Sequence, residues 1–138
     1  MKNPFKRKKH HPEHTEQVLF IHWAVHQEKL PVFAIPNGGH RHKQVAKMLK
    51  AEGVRPGVPD LFLPLAYGGH FGLFIEMKAN DGKLSTDQLE WCKRLSNDGY
   101  CVIVPQGHKV AIEAVKEYLS LAPTVPMKVE PNEKDGGK

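Results

Sequence analysis

Covalent cross-links and membrane anchors have little to work with in this chain. It holds only two cysteines, Cys92 and Cys101, with no CxxC spacing between them, which argues against a zinc knuckle. One falls in a helical pattern and the other starts a strand pattern, so both read as reduced core residues of an intracellular protein. No apolar run approaches the length of a membrane span. No apolar stretch follows the basic start, as a secretory signal requires. The expectation is a soluble, cytoplasmic protein.

Acidic residues are missing from the start of the chain. Lys2, Lys6, Arg7, Lys8 and Lys9 precede the first acid, Glu13. Taking those five from the 20 basic residues leaves 15, equal to the 15 acidic ones, so the formal charge of +5 belongs to the tail. Such an arm suits a phosphate backbone and equally a solvated end. The 138 residues, 40% of them hydrophobic, suffice for one domain with a modest core. The expected division is a basic arm over residues 1–12, a folded domain over 13–121 and a disordered tail over 122–138.

Periodicity orders the elements. A helix is expected from Glu13 to about Lys29, with Val18, Ile21, His22 and Val25 on one face, Leu19, Trp23, His26 and Leu30 beside it, and Pro31 as its stop. Val32–Ile35 is a strand candidate, followed by the turn Pro36-Asn37-Gly38-Gly39 and a helix from about His40 to Ala51. Strands are expected at Asp60–Leu63 and Gly72–Met77, joined by a hairpin loop around Tyr67–His70. Asn80-Asp81-Gly82 is another turn. Ser85 reads as the N-cap of a helix from Thr86 to about Asn97, with Gln88 at its third position. A strand over Tyr100–Val104 and a last helix after Gly107-His108 complete the set. That order predicts a three-layer α/β domain with a mixed sheet.

The chemistry concentrates between Gly57 and Lys78. Asp60 opens one apolar run and Glu76 closes the next, positions where a carboxylate is normally disfavoured. If the two strands pair, the carboxylates meet at one edge of the sheet. Two such charges about 4 Å apart repel by about 4 kcal/mol at an effective dielectric near 20. A divalent cation turns that repulsion into binding, and hard oxygen ligands suit magnesium or manganese. Lys78 lies two positions after Glu76 and so shares its face of the strand. There an ammonium could orient water or stabilise charge growing on a phosphate. The plain alternatives are surface acids at strand ends and a solvated Glu-Lys pair.

These residues resemble a known family. Gly57-Val58-Pro59-Asp60, then Ile75-Glu76-Met77-Lys78, then Gln88 are similar to the motif of the PD-(D/E)XK nuclease superfamily, and more narrowly to the VRR-NUC domain in its small stand-alone phage and bacterial type. The resemblance covers about Glu13 to Leu119, with support from Glu16, the Pro36–Gly39 turn, Gly53-Val54-Arg55-Pro56-Gly57, Ser85 and Trp91. The name-giving Val-Arg-Arg stands here as Val54-Arg55-Pro56, which leaves the acids intact. The resemblance implies a restriction-endonuclease-like fold and a magnesium- or manganese-dependent endonuclease. Asp60, Glu76 and the Met77 carbonyl would ligate metal, Lys78 would be the catalytic lysine, Gln88 would approach from the following helix, and Glu16 would add a carboxylate directly or through water. It also implies branched DNA such as four-way junctions as substrate, a homodimer, and a bacterial cell or phage-infected host as its setting.

Secondary candidates are weaker. Asn37-Gly38-Gly39 could bring backbone amides near a phosphate, or simply form a tight turn. Arg41, Lys43, Lys47 and Arg55 could grip a DNA backbone, or form a solvated face. His10, His11, His14, His40 and His42 lack a known ligand spacing. Trp23 and Trp91 read as core. The competing functions are a flap- or restriction-type nuclease, a non-cutting DNA-binding module and a histidine-based metal protein.

Overall fold

A computed structural model describes residues 12–37 and 42–125. The basic arm through His11, the stretch from Gly38 to Arg41 and residues 126–138 lie outside it. The elements are α1 (Pro12–Ile21) running into a π-helical turn (His22–Gln27), β1 (Phe33–Ala34), α2 (Lys43–Ala51), β2 (Leu61–Leu63), β3 (Leu73–Ile75), α3 (Thr86–Asn97), β4 (Cys101–Ile103) and α4 (His108–Ser120). Their order is the expected one. Pro12 opens α1, where its missing N–H leaves no helical bond unmade. Among the described residues no helix is long and apolar enough to cross a membrane.

The four strands form one mixed sheet in chain order. β1–β2 and β2–β3 are antiparallel. β4 runs parallel to β3, which requires a crossover, and α3 supplies it. Period-two alternation then gives the sheet two different faces. Leu61, Leu63, Leu73 and Ile75 meet Phe20 and Ala24 from the first helix and Ala111, Val115 and Tyr118 from α4. Each aliphatic side chain fully buried in that core contributes about 1.5–3 kcal/mol. The opposite face carries an aromatic row. Phe62 stacks on Phe74 at 4.4 Å, with Phe33 and Tyr100 edge-on at 5.6 and 5.2 Å. α3 lies over the β4 end of that face, so the domain has three layers.

The first helix departs from the periodic reading. Its buried residues are Phe20 and Ala24, while Val18 and Leu19 are exposed. Phe20 and Ala24 are four apart and share one helix face, a pair that the stripes through Val18 and Leu19 leave out. Glu28 N–H reaches back five residues to the Trp23 carbonyl, and the extra residue shifts the phase of everything after Ile21. Helical structure also ends at Gln27, before Pro31. The chain beyond Leu121 stays tied for a few residues: Thr124 N–H donates to the Ala66 carbonyl and its hydroxyl to His70.

Candidate active site

The ladder between β2 and β3 pairs Leu61 with Ile75. One step further along it, Asp60 stands opposite Glu76, on the face away from the aliphatic core. Main-chain bonds fix both strand ends. Ile35 N–H holds the Asp60 carbonyl at 2.7 Å, Glu76 N–H holds that of Ile103 at 2.9 Å, and Lys78 N–H holds that of Pro105 at 3.0 Å. Asn37 donates its side-chain amide to the Val58 carbonyl, which ties the turn after β1 to the approach to Asp60. Met77 N–H donates to Asp60 Oδ2 at 2.9 Å. The Met77 side chain sits in the core, so its backbone alone faces the acids.

Glu76 and Lys78 are the only buried charged residues among those described, at 2% and 5% exposure. Glu76 Oε1 accepts from Gln88 Nε2 at 2.7 Å and lies 3.6 Å from Lys78 Nζ. Glu76 Oε2 is buried with no hydrogen-bond partner, a costly condition for a carboxylate oxygen. Burial first, and then the charge of Asp60, push the Glu76 carboxyl up to about 7. Burial also raises Asp60, against the lowering effect of the Met77 N–H. Lys78 does not balance the cluster. It is one cation beside Asp60, Glu76 and Glu13, so two negative charges remain uncompensated when all three acids are ionised. A buried and a half-buried acid side by side, with an orphaned oxygen and that residual charge, fit a divalent cation with oxygen ligands.

Gln88 has two functions at once. It closes the capping box of α3: Ser85 Oγ accepts from Gln88 N–H at 3.2 Å and Gln88 Oε1 accepts from Ser85 N–H at 2.9 Å. The same Oε1 accepts from Lys78 Nζ at 3.1 Å while Nε2 donates to Glu76. Lysine can only donate and a carboxylate can only accept, so the neighbours fix which way the amide points. The capping and catalytic readings of Gln88 are therefore compatible.

The first helix contributes a different acid from the one expected. Glu13 Oε1 lies 3.8 Å from Lys78 Nζ, and its charge raises both Asp60 and Glu76. Glu16, one turn on, accepts from His108 N–H at 2.6 Å and from His108 Nδ1 at 2.5 Å. Among the described residues it forms no ion pair or hydrogen bond with Asp60, Glu76 or Lys78. Spacing could not separate the two, because residues three apart share a helix face. The turn at Asn80-Asp81 decides, with both residues at positive φ (53° and 59°). It brings Gly82 under Glu13, where a Cβ would sit 3.2 Å from Oε1.

Glu16 acts as the cap that Gly107 cannot supply to α4. The His108 bonds hold its carboxyl below the usual range, the backbone one most strongly. Glu16→Ala is expected to destabilise the fold by about 1 kcal/mol, a typical cap loss, measurable as a lower urea midpoint at pH 7. That difference shrinks as pH falls through the depressed Glu16 pKa, because the protonated acid caps poorly. An unchanged midpoint would refute the capping role.

The remaining candidates scatter. Lys43 and Lys47 lie exposed on α2, while Arg41 and Gly38 are outside the described residues. Trp23 packs against the core, as expected. Trp91 does not join it; Arg55 and Arg94 lie over its ring. No periodic signal announces this, because Arg55 arrives from a loop 36 positions earlier in the chain.

Comparison with known proteins agrees with this geometry. The family model of the VRR-NUC domain matches residues 5–109. A solved structure described as a VRR_NUC domain protein superposes with a TM-score of 0.69 at 27% identity, covering 84% of this chain and 94% of that one. A search of curated proteins gives no match.

Proposed function

This chain belongs to the VRR-NUC domain family, a nuclease-type DNA-processing class, and we propose that it is a magnesium- or manganese-dependent endonuclease that hydrolyses phosphodiester bonds of branched DNA. The observation that carries the reading is the buried Glu76, with its partnerless Oε2, set opposite the half-buried Asp60 and beside Lys78. Asp60, Glu76 and the Met77 carbonyl would hold the cation, and Glu13 would add negative charge at the open side. When bound, the cation supplies Lewis-acid polarisation of the phosphoryl group and eases deprotonation of water. Lys78 Nζ holds its charge where a phosphate oxygen or a nucleophilic water would come, and Gln88 fixes its direction. The four-way junction is the favoured substrate on resemblance. The homodimer that the resemblance implies would suit that substrate, because a two-fold pair of sites would match two strands cut symmetrically.

The test is a panel of labelled four-way junction, flap, duplex and single-stranded DNA with magnesium, manganese or EDTA. Paired symmetric nicks in the junction, absent in EDTA and in Asp60→Asn, are expected. Metal-dependent cutting of flaps alone would keep the chemistry and overturn the substrate. Binding without any cutting would replace the enzyme with a non-catalytic DNA-binding module.

A further inference from the structure

One turn along α3 from Gln88, Trp91 lies half-buried beneath two guanidiniums. The Arg55 guanidinium carbon is 5.0 Å from the ring centroid and that of Arg94 is 5.9 Å. Arg94 comes from the next turn of α3. Arg55 comes from the loop before β2, which is pressed onto the first turn of α3 at Gly57. There φ is 89°, and a Cβ would lie 2.6 Å from the Asp87 carbonyl carbon, so glycine is what allows the approach. The result is a cleft of about 220 Å³ lined by Arg55, Pro56, Asp87, Glu90, Trp91 and Arg94.

Two acids line this cleft, yet neither arginine is paired with them. The ion pairs among the described residues involve Lys78, His108 and Lys116. Cation–π contact with the ring engages each guanidinium while leaving its edge-directed N–H donors available. Two guanidiniums gathered at one indole concentrate positive charge, which an anion in contact with both would offset. Planar donor edges suit a tetrahedral phosphate, which arginine binds in bidentate fashion. A base is poorly suited, because the guanidiniums occupy the ring it would stack on. Trp91 is three residues from Gln88, about 4.5 Å along the helix axis, against about 3.4 Å of axial rise per nucleotide in duplex DNA.

We propose that Arg55, Trp91 and Arg94 form a phosphate-binding subsite that takes a DNA phosphate neighbouring the scissile bond. This rests on the nuclease reading and deepens it by assigning how the strand is held beside the acids. The phosphate is either an internal phosphodiester or a strand-terminal monoester.

The experiment measures DNA binding in EDTA, where nothing is cut, across a salt titration. It compares the parent chain with Arg55→Gln, Arg94→Gln and Arg94→Lys, each checked by circular dichroism and thermal melting. Each glutamine variant should weaken binding about tenfold and lower the slope of log K against log salt by about 0.9, while Arg94→Lys keeps most of the slope. A set of substrates then carries one neutral methylphosphonate at successive positions, with and without a 5′-terminal phosphate. Loss of affinity at one internal position, seen in the parent and absent in the glutamine variants, supports an internal phosphodiester. The same pattern confined to the terminal phosphate supports a monoester. Unchanged slopes in folded glutamine variants overturn the subsite. Cleavage by the parent, read separately in magnesium, judges the nuclease proposal: a parent that binds but does not cut refutes that proposal and leaves the slopes to decide this one.

Discussion

Lys78→Met lowers the rate of DNA cleavage by about a hundred- to a thousand-fold and leaves cation binding at least as tight as in the parent. The two effects have opposite signs because Lys78 has two neighbourhoods. Toward the acids it is a competing cation, 3.6 Å from Glu76 and 3.8 Å from Glu13. Removing that charge deepens the negative potential a metal ion would feel. Toward an approaching phosphate it is the positive group beside the acids, held by Gln88. Methionine keeps the length of the stem and removes the charge. Single-turnover cleavage at saturating metal measures the first effect, and manganese titration by calorimetry the second. A folded variant that cuts at the parent rate would reduce Lys78 to a buried ion-pair partner. Weaker metal binding in the variant would make it part of the scaffold that shapes the cation site.

Glu76→Gln abolishes cleavage and yet makes the metal-free fold more stable at pH 8. In the native fold the Glu76 carboxyl is pushed up to about 7 from an ordinary value of 4.5 by burial and by Asp60. Between those two values the unfolded chain has released the proton that the folded chain still holds. Stability of the metal-free protein is therefore full below about pH 4.5, falls as pH rises through 7, and levels off above it. The whole shift corresponds to about 3 kcal/mol. Water at the open edge of the site screens part of it and leaves about 1–2 kcal/mol, or about 5 °C in Tm for a domain of this size. A neutral amide at position 76 removes the titration, so the variant should melt at a nearly constant temperature from pH 5 to 8.5 in EDTA. Magnesium should raise Tm for the parent by mass action and leave the variant unmoved. Parallel pH profiles for the two proteins would overturn this account.

Legibility from sequence varied with how local the determinant was. α3 was readable to the residue, because Ser85 and Gln88 announce its start and Gly99 its end. The strands were readable as runs but came out shorter. Asp60, Glu76 and Lys78 lie just past the named strands yet keep main-chain bonds to Ile35, Ile103 and Pro105, and no propensity scale locates where a ladder thins from regular rungs to isolated ones. The first helix was misread in its face: Phe20, four residues before Ala24, meets the sheet, while Val18 and Leu19 stay exposed, and a helix apolar over so much of its circumference does not announce which stripe is buried. The choice between Glu13 and Glu16 depended on a turn more than 60 positions away in the chain. The position of Trp91 depended on Gly57. Both are long-range contacts that leave no periodic trace.

Because Gln88 closes the first turn of α3 and in the same posture orients Glu76 and Lys78, winding that turn and setting the catalytic geometry are one cooperative event. Fraying of α3 at its N-terminus releases both charged groups together, so the fraction of molecules competent at any instant is the fraction with that turn closed. The protein thereby carries a local order–disorder equilibrium in series with the proposed chemistry. Amide hydrogen exchange at Gln88 and Leu89, whose N–H groups donate to the Ser85 side chain and carbonyl, would report it directly.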